Sequence, residues 1–293
     1  MARRFIGWYV SGAGTEIPFD SGHSKSNDPI RVRPIRYSDC YQIIDGHHRL
    51  AIAHARGKTA ARVRVHSPAV LTPLQSLLLD VLWQNGRREL YQPIDSPELK
   101  KGWSLVRRCS DRFAKMRGFL ETQGLLPPTL RTYLDIGSSY GWFVSAMKEL
   151  GFDAHGVERD PFAIAVGSIV YGIETGRCVR SDCVRFLEEG HPRYDVTSCF
   201  SVLHHFALGR GAIGPEEFIR LIDRATDKVL FFDTGQNNEA WFRRSLPEWN
   251  PDYIESWLAA NTTFTRFHRL GIDEDAAPPF HENYKRMLFA CTR

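Results

Sequence analysis

The chain has 293 residues, 43% hydrophobic and 25% charged, with apolar material for a packed core and length for two domains at about 100–200 residues each. That composition excludes disordered and collagen-like architectures, and no run approaches the ~18 uncharged apolar residues of a membrane span, since Asp80 interrupts the stretch 77–83. The net charge of +4 hides an asymmetry: residues 1–130 carry 20 Lys/Arg against 11 Asp/Glu, and residues 131–293 carry 18 against 23. Two units with different ligands are therefore expected, the basic first half either facing an anionic ligand or presenting its arginines as solvated surface. Arg3 and Arg4 have no apolar stretch behind them, so no secretory leader and no membrane partner are expected, and the chain is expected to be cytoplasmic. The six scattered cysteines form no Cys-x-x-Cys and read as free thiols.

In chain order, residues 11–14 and 21–24 are Gly/Ser-rich. Ile30, Val32 and 33–35 give a partly alternating strand pattern broken by Pro34. Residues 41–44 form a short apolar strand that runs into the turn signal Asp45-Gly46. A helical stripe over 47–56 is stopped by Gly57, and 61–66 alternates basic with apolar residues as a half-exposed strand. Leu74, Leu77, Leu78, Val81 and Leu82 fall at helical spacings, 103–120 reads as a second amphipathic helix, and Pro127-Pro128 is the sharpest boundary signal. Beyond it, strands at 132–136, 153–157, 177–180, 194–200 and 228–232 alternate with helices at 142–150, 161–171, 183–189 and 215–225. Such alternation predicts an α/β fold with a doubly wound, mainly parallel sheet. Residues 263–270 and 286–291 read as a terminal β-hairpin joined by a proline-bearing loop. The predicted organisation is a small domain over 1–70, a helical connector over 71–129 and an α/β domain over 130–293.

The chemistry concentrates in Leu134-Asp-Ile-Gly-Ser-Ser-Tyr-Gly141. A strand ends, glycines permit a tight turn and close backbone approach, and a helix starts, at the place where ligands bind such sheets. Glu158, 17 residues after Gly141, follows the second strand, where an acid can accept from both hydroxyls of a ribose. Asp182 follows the third strand, where a carboxylate can accept from an adenine amino group.

Over about residues 130–293 these features resemble the class I S-adenosylmethionine-dependent methyltransferases. Asp135, Gly137 and Gly141 match the family's glycine-rich first motif, with Ser139 where a second glycine often stands. Glu158 matches the ribose acid and Ser181-Asp182-Cys183 the adenine-side motif; residues 194–205, Phe200 among them, match the fourth-strand segment facing the methyl donor. The competing assignment, an NAD-binding Rossmann unit, lacks the full three-glycine order. The resemblance implies a Rossmann-like sheet, S-adenosylmethionine as cofactor, and in-line displacement on a sulfonium methyl.

His204 and His205 lie just beyond the fourth strand and are catalytic candidates for taking a hydroxyl proton; packing or orienting the cofactor is the alternative. Asp233, ending the fifth strand, is a third catalytic candidate. No metal site is assigned, a divalent ion shared by Asp195 or Asp233 with a histidine being the weaker reading. The Asp/Asn-Pro-Pro-Tyr/Phe segment of base-amine methylation is replaced by Ser198-Cys-Phe-Ser201, and the Pro-Cys pair of cytosine C5 chemistry is absent, so DNA is disfavoured. The expected reaction is O-methylation of a saccharide or another small, phosphorylated or nucleotide-linked molecule. Trp241, Phe242, Trp249, Tyr253 and Trp257 supply either stacking surface or core.

Ile43-Ile44-Asp45-Gly46-His47-His48-Arg49, followed by Gly57 and the strand Arg62–Val65, resembles the ParB/sulfiredoxin-like fold over about residues 1–70. The resemblance implies phosphate binding by Gly46, His47, His48 and Arg49, in keeping with free N–H groups at a helix start. The alternatives are a retained fold that shapes an interface, nucleotide turnover by this domain itself, or a nucleic-acid-binding or RNA-modifying protein. Residues 67–130 offer no clear helix-turn-helix pair.

Overall fold

A computed structural model describes residues 29–281 and 283–293. Arg3, Arg4 and the Gly/Ser-rich segments at 11–14 and 21–24 lie outside the described residues. The chain folds as two compact units. One comprises the described residues up to Ser76 with Ile94–Trp103, the other Leu77–Pro93 with Ser104–Arg293.

In the first unit, β1 (Ile30–Pro34) is central, antiparallel to β2 (Tyr41–Asp45) and parallel to β3 (Val63–Val65). Ile30 and Val32 are buried while Arg31 between them is exposed, the two-residue alternation of a strand. Between β2 and β3 runs α1 (His47–Ala55), entered through Gly46 at φ 95°, a left-handed conformation that glycine adopts without steric cost. The buried Gln75 amide donates to the carbonyls of Arg36 and Glu98 at 2.8 and 3.2 Å. The division between the units falls inside α2 (Pro73–Asp80).

The second unit opens with the short parallel pair β4 (Glu89–Leu90) and β5 (Ser104–Leu105), then α3 (Ser110–Thr122). The alternation predicted from the sequence follows: β6 (Thr132–Ile136), α4 (Trp142–Glu149), β7 (Asp153–Glu158), α5 (Pro161–Val170), β8 (Cys178–Arg180), α6 (Cys183–Glu188) and β9 (Tyr194–Phe200). The chain continues through α7 (Leu203–Ala207), α8 (Pro215–Ala225), β10 (Thr226–Asp233), α9 (Pro251–Asn261), β11 (Arg266–Ile272) and β12 (Met287–Thr292). The sheet order is β11-β12-β10-β9-β6-β7-β8, with β12 antiparallel to both neighbours and the remaining pairs parallel. This is the doubly wound, Rossmann-like sheet with the terminal hairpin, and order reverses between β6 and β9, the switch point where such sheets open a crevice.

Strand residues feed two cores in turn. Along β10, Val229 and Phe231 join Met116, Leu120, Phe143 and Met147 on one face; Leu230 and Phe232 join Phe218, Ile222, Ile254 and Leu258 on the other. Both faces are therefore covered, which accounts for the unbroken apolar run of that strand. Helix α8 starts at Pro215 and buries Phe218, Ile219, Leu221 and Ile222 on one stripe, each contributing about 1.5–3 kcal/mol.

Three expectations change. The helix predicted over 103–120 begins only at Ser110, because 104–105 pair as β5, Arg107 bridges to Ala276, and Cys109 takes φ 64°. Met116 and Leu120 of α3 lie in the sheet's core, so residues 104–129 belong to the α/β unit and not to a connector. Pro127-Pro128 is accordingly the turn from α3 into β6. The helices α7 and α9 are not in the sequence reading. Among the described residues no helix is long and apolar enough to cross a membrane.

Candidate active site

At the carboxyl ends of β6, β7, β8 and β9 opens a cleft of about 630 Å³. Its first wall is the turn after β6. Gly137 stands at φ 76°, where a Cβ would come within 2.6 Å of Val202 Cγ2. Gly141 precedes α4 at φ 80°, where a Cβ would meet Ile173 Cδ1 at 2.4 Å. Ser139 also has a left-handed backbone, φ 53°, at the position expected to hold a glycine. Its N–H donates to Glu158 Oε2 at 2.9 Å, which anchors the turn to the end of β7.

Glu158 takes the Asp160 N–H on its other oxygen at 2.9 Å. Burial raises its pKa against those N–H bonds, and each oxygen keeps a lone pair for a ribose hydroxyl. Asp182 caps α6 through Oδ1, which accepts from Val184 N at 2.9 Å; its side chain is exposed at the cleft. Cys183 beside it lines the same wall, its thiol pushed up to about 12 by burial. Asp135 is buried beneath the turn; Oδ1 accepts from Ser198 Oγ at 2.6 Å and Oδ2 has no partner. Burial raises its pKa to about 7, the Ser198 bond and Arg112 opposing. Phe200 lines the floor, its ring 5.0 Å from Phe143 and 5.1 Å from the Arg112 guanidinium. An unpaired buried carboxylate oxygen, a turn with no space for a Cβ, and two acids with spare acceptor capacity fit an adenosyl cofactor carrying an ammonium group.

The two histidines occupy different settings. His204 is buried, and its Nδ1 accepts the Gly235 N–H at 3.3 Å, so the neutral ring carries its proton on Nε2. Burial, with Arg286 and His205 adding to it, lowers its pKa to about 2. The expectation that His204 acts as a base is corrected: no lone pair remains for a substrate proton. His205, its ring centroid 4.4 Å away, is exposed at the cleft, and its pKa is lowered by desolvation and by Arg210, Arg159 and Arg286. It is a neutral imidazole with a lone pair available.

Asp233 is also corrected as a proton acceptor. It is buried among three guanidiniums: Arg112 Nη1 at 3.3 Å, Arg286 Nη1 at 3.6 Å and Arg107 Nη2 at 3.8 Å. Burial alone would raise its carboxyl; those cations and the Ser201 N–H hold it below the ordinary carboxylate range. The same cations repel a divalent ion. Asp195, the other metal candidate, lies at the opposite end of β9, where its Oδ2 accepts from Arg131 N, Thr132 N and Thr132 Oγ1. No group of three metal-ligating side chains occurs among the described residues.

Around Asp233 lies a buried charge lattice that sequence reasoning missed. Arg286 donates both to Glu239, at 2.7 and 3.0 Å, and to Ser201 Oγ at 2.8 Å. Arg107 donates to Ser201 Oγ at 2.7 Å and pairs with Asp273, while Arg112 Nε donates to Asp275 at 2.9 Å. Ser201 itself stands at φ 61°, its N–H on Asp233 Oδ1 at 2.8 Å, so the lattice fixes a left-handed residue at the end of β9. The only sequence signal was position: Ser201 follows the fourth strand and Arg286 opens the last.

Of the aromatic segment, Phe242, Trp249 and Trp257 are core and Tyr253 is exposed away from the cleft lining. Trp241 alone reaches the cleft; it is 50% exposed, and its Nε1 donates to Glu239 Oε2 at 3.0 Å. Tyr284, whose ring lies 4.9 Å from the Arg107 guanidinium, and the pair Trp83–Tyr91, centroids 4.9 Å apart, complete the lining. In the first unit, His47 and His48 are exposed in the first turn of α1, and Arg49 Nη2 donates to Asp45 Oδ2 at 3.3 Å, beside Gly46.

The sequence profile of a family described as a methyltransferase domain matches residues 108–266. No curated protein sequence matches the chain. Among solved structures, the bifunctional kinase-methyltransferase WbdD superposes with TM-score 0.56 at 15% identity over 75% of this chain and 45% of that one. Magnesium protoporphyrin IX methyltransferase (ChlM) from Synechocystis PCC 6803 with bound SAM gives 0.43 at 16% identity, over 62% of this chain and 80% of its own. A SAM dependent methyltransferase from Archaeoglobus fulgidus gives 0.42 at 14% identity, over 62% and 93%. The likeness to WbdD is one of fold, and the chain spans less than half the length of the WbdD chain it matches. With the profile covering more than half of its 293 residues, the chain belongs to the methyltransferase-domain family, and S-adenosylmethionine is its methyl donor.

Proposed function

We propose that the α/β unit O-methylates a hydroxyl of a small saccharide or related metabolite. The observation that carries this is the meeting, in one cleft, of the cofactor turn with an exposed neutral histidine, His205, and the open face of Trp241. When bound, S-adenosylmethionine supplies an electrophilic sulfonium methyl. Glu158 and Asp182 would hold the ribose and adenine, and Asp135, buried beneath the turn, would offer its unpartnered Oδ2 to the ammonium group. His205 takes the hydroxyl proton on its free lone pair, and the Trp241 ring stacks on the acceptor. The first unit, whose strand–Gly46–helix turn supports a ParB/sulfiredoxin-like assignment, holds a phosphate through Gly46, His47, His48 and Arg49; His48→Ala should then abolish ATP or CTP binding by the full chain.

S-adenosylmethionine should raise the melting temperature, and Glu158→Ala should weaken its binding at least about tenfold, the equivalent of one charged hydrogen bond. Full affinity retained in the Glu158→Ala/Asp182→Ala double variant would refute the cofactor assignment. With labelled cofactor and a cell extract, mass spectrometry should show a saccharide-class product gaining a methyl group. His205→Ala should lower that transfer about a hundredfold with cofactor affinity kept.

A further inference from the structure

Two cations at the cleft are left without a counter-charge. Arg159 follows Glu158 directly at the end of β7, and Arg210 lies just after α7, its N–H donating to the His205 carbonyl at 2.8 Å. Both are exposed and both line the cleft. Neither is held by an ion pair or a side-chain hydrogen bond among the described residues. The other arginines around the cleft are ion-paired: Arg286 with Glu239, Arg112 with Asp275, Arg107 with Asp273. Three guanidiniums there face the four carboxylates of Asp233, Glu239, Asp273 and Asp275, so the lattice as a whole carries no excess of positive charge. Arg159, just beyond β7, and Arg210, just beyond α7, reach the cleft from two different elements and act on the His205 ring ahead of Arg286.

Two guanidiniums without a counter-charge, lining the same cleft as the His205 imidazole, form a receptor for a dianion. A phosphomonoester carries about −1.5 to −2 charges at neutral pH and accepts from paired guanidinium N–H groups. We infer that the acceptor is a phosphorylated metabolite, its phosphate held by Arg210 and Arg159 and its free hydroxyl facing His205. This rests on the methyl-transfer reading of the same cleft and specifies its substrate class.

The test titrates inorganic phosphate, glucose 6-phosphate and glucose by calorimetry into the full chain and, to remove the phosphate site proposed in the first unit, into the full chain carrying His48→Ala. The arginine variants below are also made in that His48→Ala chain. The buffer is oxyanion-free at low ionic strength, with and without saturating S-adenosylhomocysteine. Phosphate and glucose 6-phosphate should bind, and glucose at least about tenfold more weakly. Arg210→Gln/Arg159→Gln should lower phosphate affinity at least about tenfold while S-adenosylhomocysteine affinity stays within about threefold. Arg185→Gln, an exposed arginine of α6 paired with Glu189, should change neither. Three results would overturn the inference: no phosphate binding by the His48→Ala chain, unchanged binding in the double arginine variant, or an equal loss of S-adenosylhomocysteine affinity, which would assign the two cations to the cofactor's carboxylate. Failure of the methyl-transfer reading shows separately, as wild-type protein that binds phosphate but not S-adenosylhomocysteine.

Discussion

At the cofactor end of the cleft, Asp135, Gly137, Ser139, Glu158 and Asp182 sit at the carboxyl ends of three neighbouring strands, β6, β7 and β8, and within 48 residues of chain. Main chain does most of the shaping: two left-handed glycines, a left-handed serine, and N–H groups that hold Glu158 and Asp182. At the acceptor end, Ser201 and the floor around it are held by side-chain charges from Arg107, Arg112, Asp233, Glu239, Asp275 and Arg286, residues drawn from across the second unit. One end depends on backbone conformation, and the other on buried ion pairs. The two should therefore fail in different ways.

The largest difference lies in Arg286→Ala. The substitution removes a bidentate bond to Glu239, a bond to Ser201 Oγ and a cation beside Asp233, all buried. Leaving two buried carboxylates short of a partner should cost about 3–5 kcal/mol in urea unfolding. Arg286→Met with Glu239→Leu removes the pair as a unit and should recover much of that loss. A cost under about 1 kcal/mol for Arg286→Ala would mean that the lattice does not hold the acceptor end, and the contrast would collapse.

The histidines sharpen the same contrast through pH. His204, buried with Nδ1 on the Gly235 N–H, takes a proton in the folded state only near pH 2, whereas in the unfolded chain it does so near 6.5. Below 6.5 the unfolded state binds the extra proton, so His204 makes the fold less stable as pH falls, by up to about 1.4 kcal/mol per pH unit. Above 6.5 it contributes nothing. His204→Gln, which keeps an acceptor for Gly235, should flatten the stability profile between about pH 6 and 4 relative to the wild type. A parallel pair of profiles would show that His204 is not the proton-excluding group.

The cofactor end was legible in the sequence because its geometry is local. Gly137 and Gly141 mark their own φ values, and Glu158 and Asp182 each end one strand or start one helix. The acceptor end was not legible. Arg107 reads as one of many basic residues on a presumed amphipathic helix, yet a bridge to Ala276 and an ion pair with Asp273 bury it. Asp233 reads as a strand-end base until three guanidiniums, two of them more than 100 residues away in the chain, are placed around it. No periodicity or spacing encodes such a meeting, since it is created by the order in which strands enter the sheet. Trp241 and Trp249 look alike in sequence, and only packing separates the exposed ring at the cleft from the one in the core.

The smallest expected effect tests the backbone side of the comparison. Ser139 occupies φ 53°, a conformation that costs a non-glycine residue about 1–2 kcal/mol. Glycine relieves that strain but loses about 0.5–1 kcal/mol through the greater freedom of the unfolded chain. Ser139→Gly should therefore stabilise the fold by about 1 kcal/mol or less, read as a small rise in the urea midpoint with an unchanged slope. The N–H that donates to Glu158 Oε2 survives the substitution, so S-adenosylmethionine affinity should stay within about twofold if main-chain geometry alone builds this end. A loss of tenfold or more, about 1.4 kcal/mol, would show that the Ser139 hydroxyl itself contacts the cofactor, and the cofactor end would then share the side-chain dependence of the acceptor end.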